Sequence, residues 1–528
     1  MKAKSYSLFE AYQYLKRYQL SDSLYLIGAV NAALKYGPKH LIKDNLPDEV
    51  LTWLGRTTQE HLRFNIYTGA TRLARLLLLS GANDHKGSPL SLLDNSLPSA
   101  IDVAGFLYDP ELETQLNNAS SNLTNNILGR IGQIQFPLQG NRLSLLGRAM
   151  LLFETLPVQV EGQYSIDHQL KTYFGMSVME FLATGLALWI KCDGSIDYNL
   201  DVDVGLNRYV NDNTQAAFLK LSSGTQVDYR KIIRGEHWKV PNKLYDIYFM
   251  EPLIQVPAIK VEVSSKLKSG SYVVPQPKYL LDRTSTGIFY LLADKEQQLA
   301  AASGQTKKNP FRVYFGEVYR AYVRTQLCQA KSNTTLIDLD EDFDNKNGGK
   351  LPDFAVIQGN ICVIIEVKTS LLTLKSRAFF EESQMEVEIR TGSFKKAVTQ
   401  LHDFRSRILL KETGDHRFAP ISEVISILAG YEDIFVLNSY LLPMLEVQYG
   451  AMTKNFQLAC ISDIDAIGSL LAEGKPLGEL LKKKVGNTEE RKWMIDQYLK
   501  DHIQQENPVL KQAFDSLLRR FGLDRIES

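Results

Sequence analysis

The sequence predicts a multidomain α and α/β chain, mainly helical in its N-terminal half and a helix-flanked sheet in its C-terminal part. Three observations predict it. The chain has 528 residues, and single hydrophobic cores stop growing at roughly 250–300 residues, so roughly two to four packed units are expected. From the N-terminus to about Cys192, apolar residues recur at helical spacing. Beyond residue 300, short β-type runs alternate with helical stretches, the order that builds an α/β sandwich.

Composition narrows the class. The chain is 44% hydrophobic and 23% charged, which suits a packed globular protein and argues against long disorder. Lys plus Arg and Asp plus Glu are both 60, so any nucleic-acid surface must come from local clustering of bases. Cys192, Cys328, Cys362 and Cys460 are far apart and form no CxxC pair; they read as buried thiols of a reducing compartment. The N-terminus interleaves charges with aromatics and lacks a secretory apolar segment. The most apolar stretch, Val178–Ile190, contains Glu180 and is short of the roughly 20 residues of a membrane span. A buried helix, no membrane and a cytoplasmic location are expected.

The elements follow in order. Helical periodicity marks Glu49–Leu79, Arg142–Thr155 and His168–Cys192, with the Ser/Asn/Asp-rich Asp94–Asn126 as a long connection or a subdomain junction. Between Gln215 and Tyr290 shorter apolar runs broken by Gly and Pro suggest strands leading into a helix. Ala300–Asn309 is small and polar and reads as a linker before a helix from Pro310. Then come a helix (Pro310–Ala330), a strand (Thr334–Leu339), two strands (Asp353–Lys368), a helix (Phe394–Leu410), a strand (Ile434–Leu437), a further strand (Phe456–Ile461) and helices around Ile464–Lys484 and Glu489–Phe521. The resulting division is a helical domain over 1–200, a mixed connector over 201–300, an α/β domain over 301–485 and a helical extension over 486–528.

The chemistry concentrates in LPDFAVIQGNICVIIEVK. Gly359-Asn360, with Gly first, suits a two-residue II′ hairpin turn. If Gln358 pairs with Ile361, counting back puts Asp353 opposite Glu366, and opposed residues point to one face with Cβ atoms about 4.5–5.5 Å apart. Lys368 shares that face by the strand period of two. Ala355, Ile357, Cys362 and Ile364 share one face, and Phe354, Val356, Val363 and Ile365 the other, so both faces are apolar and covered. Two buried carboxylates are costly, and a bound cation is one physical solution. Phosphodiester hydrolysis needs activated water and neutralised phosphate charge, which carboxylate-held Mg²⁺ supplies and a lysine supports. Glu317 in the preceding helix can reach the metal from the flank, and Gln400 lies in the following helix beside Lys395, Lys396 and Arg405, which can meet a phosphate backbone.

A helix Glu, a Pro-Asp, a Glu-x-Lys and a helix Gln followed four residues later by an aromatic, Phe404, together resemble the PD-(D/E)XK nuclease superfamily, which includes restriction enzymes, Holliday-junction resolvases and recombination exonucleases. The resemblance covers 305–440, extending at most to 485. It implies a restriction-endonuclease-like α/β sandwich with a mixed central sheet. It also implies Asp353 and Glu366 as metal ligands, Glu317 as an auxiliary ligand, Lys368 as the catalytic lysine and Gln400 as a helper. Mg²⁺ is the implied cofactor, with Mn²⁺ as substitute, and nucleic acid, DNA first, the implied partner.

Other features read as structural. The acidic Asp338–Asp344 lacks calcium-loop spacing and reads as a solvated loop. His402 reads as a surface or core histidine, and Lys482–Lys484 as a solvated helix face. No phosphate loop, dinucleotide fingerprint, GxSxG elbow or HExxH occurs. The expected function is therefore a metal-dependent nuclease, with anti-phage defence or restriction as its role by analogy. An RNA-cleaving nuclease and a non-catalytic nucleic-acid-binding or assembly protein stand as alternatives, and a protein partner or homo-oligomer is open.

Overall fold

The structure, a computed structural model, describes residues 5–36, 48–56, 60–107, 138, 142–197, 206–234, 250–304, 309–343, 349–372, 376, 382–434 and 437–523. The N-terminal half is built from α1 (Leu20–Tyr36), α2 (Glu60–Ser80), α3 (Ser96–Gly105), α4 (Arg142–Met150) and α5 (Val178–Ile190). Helix α3 lies within the stretch expected to be a connection, and residues 108–126 of that stretch fall outside the described residues. Its apolar residues Leu97, Ala100, Ile101 and Ala104 recur at three- and four-residue steps and are buried, a signal masked by the surrounding Ser and Asn.

Helix α5 is buried along most of its length. Glu180 is its capping acid: Ser177 N–H donates to the carboxylate at 2.7 Å while Glu180 N–H donates to the Ser177 hydroxyl at 3.2 Å. Among the described residues no single helix is long and apolar enough to cross a membrane; Ile166–Phe174 with α5 passes by length and composition only as a pair bent by 66°.

The middle region carries a small mixed sheet of β1 (Ser195–Ile196), β2 (Ser223–Gly224), β3 (Ala258–Lys260) and β4 (Tyr272–Val273), in the order β1-β4-β3-β2. A long helix, α6 (Pro277–Ala302), follows. It extends into the expected linker, of which residues 305–308 lie outside the described ones. Tyr279 of α6 lies in the N-terminal core, while Leu280, Ile288, Phe289 and Leu292 belong to a second core that runs from Leu145 to Leu523. Phe289 packs on Phe311 and Phe315 with ring centroids 5.5 and 4.9 Å apart, so apolar packing is continuous across residue 300.

Beyond it, α7 (Pro310–Leu327) precedes a five-stranded mixed sheet of β5 (Thr335–Asp338), β6 (Phe354–Gln358), β7 (Ile361–Lys368), β8 (Glu423–Gly430) and β9 (Phe456–Ala459), in sequence order across the sheet. β5, β6 and β7 pair antiparallel, whereas β7, β8 and β9 pair parallel. The two faces sort as the period of two requires. Phe354, Val356, Val363 and Ile365 join the core with Phe315, Val318 and Tyr322 of α7. Ala355, Ile357, Cys362 and Ile364 join a third core with Phe394, Ala397 and Leu401 of α8 (Gly392–Leu409).

The fourth strand is Glu423–Gly430, not Ile434–Leu437; Leu437–Leu441 is helical, and 435–436 lie outside the described residues. EVISILAG is buried on both faces, the mark of a central parallel strand. The stretch expected as one helix around Ile464–Lys484 is two helices, α9 (Ile461–Ala472) and α10 (Leu477–Gly486), broken where Gly474 adopts a φ of +73° and Pro476 follows. Glu489–Phe521 is likewise several short turns and then α11 (Pro508–Arg520), which packs against α4.

Lys482–Lys484 is not a uniformly solvated face. Lys482 pairs with Glu423 at 2.6 Å, but Lys484 is fully buried, donating to Gln457 and to the Arg491 carbonyl. Burial lowers its pKa to about 7. The folded state therefore binds fewer protons than the unfolded state between about pH 7 and the ordinary lysine range near 10.5, so stability rises with pH across that window. Relative to Lys484→Met, the wild type is expected to gain on the order of 3–4 kcal/mol between pH 7 and 10, measured by denaturant unfolding. A pH-independent difference would show that this lysine keeps its charge. Of the four thiols, Cys192, Cys362 and Cys460 are buried as expected, but Cys328, at the end of α7, is exposed.

Candidate active site

The central hairpin adopts the expected register. Gln358 pairs with Ile361 and the pairing continues to Phe354 with Ile365. Gly359 has φ +60°, while Asn360 is not among the positive-φ residues, as a II′ turn requires. At Asp353 the chain bends out of the ladder: its N–H donates to the Ile365 carbonyl at 3.0 Å, and its carbonyl accepts from Leu339 N–H at 3.0 Å. Its side chain completes the strand end instead, Oδ2 accepting from Val367 N–H at 2.7 Å. Pro352 supplies no N–H to the ladder, so Pro-Asp ends β6 and turns the carboxylate onto β7.

Glu366 is 2% exposed. Its Oε1 accepts from Lys368 Nζ and its Oε2 from Gln400 Nε2 at 2.8 Å. Gln400 also donates to the Leu351 carbonyl, just before Pro-Asp, tying α8 to both strands. Burial, together with the neighbouring Asp353 charge, pushes the Glu366 pKa up to about 7 against the opposing pull of Lys368. Four of the five expected residues thus come together: Asp353, Glu366, Lys368 and Gln400.

Glu317 does not join them. Its helix covers the opposite face of the sheet, where Phe315 and Val318 pack, and the Glu317 side chain is exposed, with no hydrogen bond or ion pair among the described residues. Arg320, one turn on, is the α7 residue that reaches the site. It lies 5.0 Å over the Phe354 ring and its Nε donates to Asp353 Oδ1 at 3.1 Å. Its Nη2 binds Asp338 and approaches Asp340 at 3.3 Å. Burial opposes the charge of Arg320, but Asp338, Asp353 and Asp340 outweigh it and raise its pKa.

Asp338 is correspondingly no part of a solvated loop: it ends β5, is 2% exposed and takes a second ion pair from Arg324 at 3.8 Å. Burial raises the Asp340 pKa, with the Asp353 and Asp338 charges adding to it. The sequence signal for this network was a base three residues after Glu317 and an acid closing a β-type run; neither identifies its partner without the tertiary fold. Arg320→Leu leaves Asp338 buried with Arg324 at 3.8 Å and the Asp340 and Glu341 N–H groups as its remaining partners among the described residues. A loss of roughly 2–4 kcal/mol of stability is expected, seen as a lower midpoint in denaturant unfolding; an unchanged midpoint would make the pair inconsequential.

Around Gln400 the expectations divide. Lys395 and Lys396 are exposed, and Lys396 shares the Gln400 face of α8 by its four-residue spacing. Arg405 instead turns inward, 9% exposed, and donates to the Lys454 carbonyl at 2.8 Å. Phe404 is buried against Phe343 and Phe418 and serves the core.

Among the described residues no cluster of three or more His, Cys, Asp and Glu side chains is arranged to hold a metal. Two carboxylates nevertheless suit a hard cation, since Mg²⁺ is ordinarily held by one or two protein carboxylates and completes its shell with water and phosphate. A cation there would relieve both the burial of Glu366 and its repulsion by Asp353, the two causes that raise the Glu366 pKa. The donor set therefore fits. No family model matches the chain, and no curated protein matches it.

Proposed function

We propose that this protein is a metal-dependent nuclease, with a restriction-endonuclease-like core of the PD-(D/E)XK type over 301–485 and DNA as its first-choice substrate. The observation that carries the reading is the convergence of Asp353 and Glu366 at the end of one hairpin, with Lys368 bound to Glu366. A mixed sheet whose antiparallel hairpin continues into parallel β8 and β9, with α7 and α8 on opposite faces, supports it.

In this reading Asp353 and Glu366 would hold Mg²⁺, or Mn²⁺ in its place, and the bound cation would supply Lewis-acid neutralisation of phosphate charge. Val367 N–H and Arg320 fix the Asp353 carboxylate. Gln400 fixes Glu366 and keeps one oxygen oriented. The Lys368 ammonium donates to Glu366 and, at 3.2 Å, to the Val367 carbonyl; its third N–H is left for a phosphate oxygen whose charge grows as water attacks phosphorus and the bond to the leaving oxygen breaks. Lys395 and Lys396 offer phosphate contacts along the strand being cut. The helical half would recognise a trigger, substrate or partner, with defence or restriction as the role by analogy.

The test is cleavage of plasmid, linear duplex, single-stranded DNA and structured RNA by the full chain with Mg²⁺, Mn²⁺ or EDTA. Cutting that EDTA abolishes and either cation restores is expected, and the substrate cut separates DNA from RNA. Cutting that survives EDTA would sink the metal-dependent reading. One observation favours a second reading, a nucleic-acid-binding protein that does not cut: Asp353 is already paired with Arg320. Salt-sensitive binding of the same substrates without cleavage would select it.

A further inference from the structure

Away from the nuclease centre, α6 lines a cleft of about 260 Å³ in the helical half. Arg283 is its buried wall. The side chain is 7% exposed, Nη2 donates to the Leu221 carbonyl at 2.7 Å, and Nε is buried without a hydrogen-bond partner. No carboxylate forms an ion pair with it among the described residues; Asp294 and Glu251 act on it only through their fields. Its stem is accommodated by Gly287 one turn on, where an added Cβ would come within 2.9 Å of the Arg283 Cδ. The placement is thus built into the helix rather than left to a mobile surface chain.

A guanidinium buried without a carboxylate is costly, and burial lowers the Arg283 pKa to about 10. Lys295, also on the cleft, likewise has no ion pair among the described residues and lies 5.9 Å over the Tyr173 ring. Asp294 supplies one opposing charge at the wall, so the cationic side prevails. Phe174, Leu221, Val256 and Tyr290 make the rest of the lining largely apolar. A buried guanidinium without an ion-pair partner on a largely apolar cleft, with Lys295 further along the same lining, suits a ligand with one anionic group and a flat apolar body.

We propose that this cleft binds a small anion, a phosphate or carboxylate on an aromatic body, with Arg283 taking the anionic group and Phe174 and Tyr290 flanking the ring. The site also touches the sheet. Tyr290 donates to Glu432 at 3.3 Å, and the adjacent Tyr431 N–H donates to the Lys368 carbonyl at 3.3 Å. A ligand against Tyr290 therefore lies close, through hydrogen bonds, to the strand end that carries Lys368.

Binding is measured by isothermal titration of the full chain with phenyl phosphate, benzoate and neutral benzamide. At least one anion is expected to bind one to one at about 1 mM or tighter, at least about tenfold tighter than benzamide. The tighter anion names the group the site takes. Arg283→Met should weaken that binding at least about tenfold and Lys295→Met about threefold or more, while Asp353→Asn leaves it unchanged because the nuclease carboxylate is elsewhere. If Arg283→Met lowers the melting temperature sharply, Lys295→Met decides alone. Neither anion binding, benzamide binding equally well, or a folded variant binding like wild type would each overturn the proposal.

Discussion

Asp353→Asn is expected to reduce cleavage by roughly 10³-fold or more while leaving the melting temperature within a few degrees of wild type. The substitution removes one charge and almost no volume. The amide oxygen still accepts from Val367 N–H, so the closure at the end of β6 survives. Arg320 keeps Asp338 and Asp340 as partners. On the proposed function, what is lost is one of the two carboxylates assigned to the cation, a contribution of about 4 kcal/mol to the barrier at this size of effect. Single-turnover rates with Mg²⁺ measure it, and the Mn²⁺ affinity should fall in parallel. A variant that cuts at the wild-type rate would remove Asp353 from the site.

Lys368→Met is expected to cost roughly 10²–10³-fold in turnover and to differ from Asp353→Asn in its effect on stability. Glu366 is almost fully buried and loses its ammonium donor, keeping the Gln400 amide as its donor among the described residues. An ionised carboxylate left so is expensive, and its burial already favours the proton. Stability should fall at pH 8 and recover as pH drops and Glu366 is protonated. The informative companion is Lys368→Arg. Its guanidinium restores an ion pair, and with it much of the melting temperature, but its longer planar fork does not place an N–H where the compact ammonium sits. Recovered stability without recovered turnover marks Lys368 as part of the chemistry; recovery of both would reduce it to a partner for Glu366.

The two arms differ in what they report because the residues differ in what holds them. Asp353 is fixed by a backbone N–H and a cation from another helix, so its charge can be deleted in place. Lys368 is one half of a buried pair, so its deletion is felt by Glu366 as well. Unfolding curves for both variants, taken beside the rates, separate the loss of chemistry from the loss of fold.

The hairpin was legible in the sequence because everything that defines it is local. A Gly-first turn fixes the register, the period of two assigns each residue to a face, and the apolar runs mark both faces as covered. Asp353, Glu366 and Lys368 follow by counting. Gln400 was legible as a residue of the next helix, and the fold brings it to Glu366. The bend at Asp353 was not, because it depends on the side chain replacing a ladder hydrogen bond.

The remainder belonged to tertiary structure. Helical periodicity in α7 showed that one face is buried, but not which side of the sheet it would cover. That choice exposes Glu317 and sends Arg320 to Asp353 and Asp338 instead. EVISILAG was a short apolar run like several others until its neighbours on both sides made it the fourth strand. Lys484 sits in a run of lysines that composition alone reads as solvated, and only the tertiary fold buries it, against Gln457 of β9 and the Arg491 carbonyl. Arg283 was invisible for the same reason. Sequence alone determined which residues lie side by side along one strand pair, because backbone geometry fixes that within a few residues. Which distant helix lies over them, and so which charge meets which carboxylate, was decided by burial summed over the whole chain.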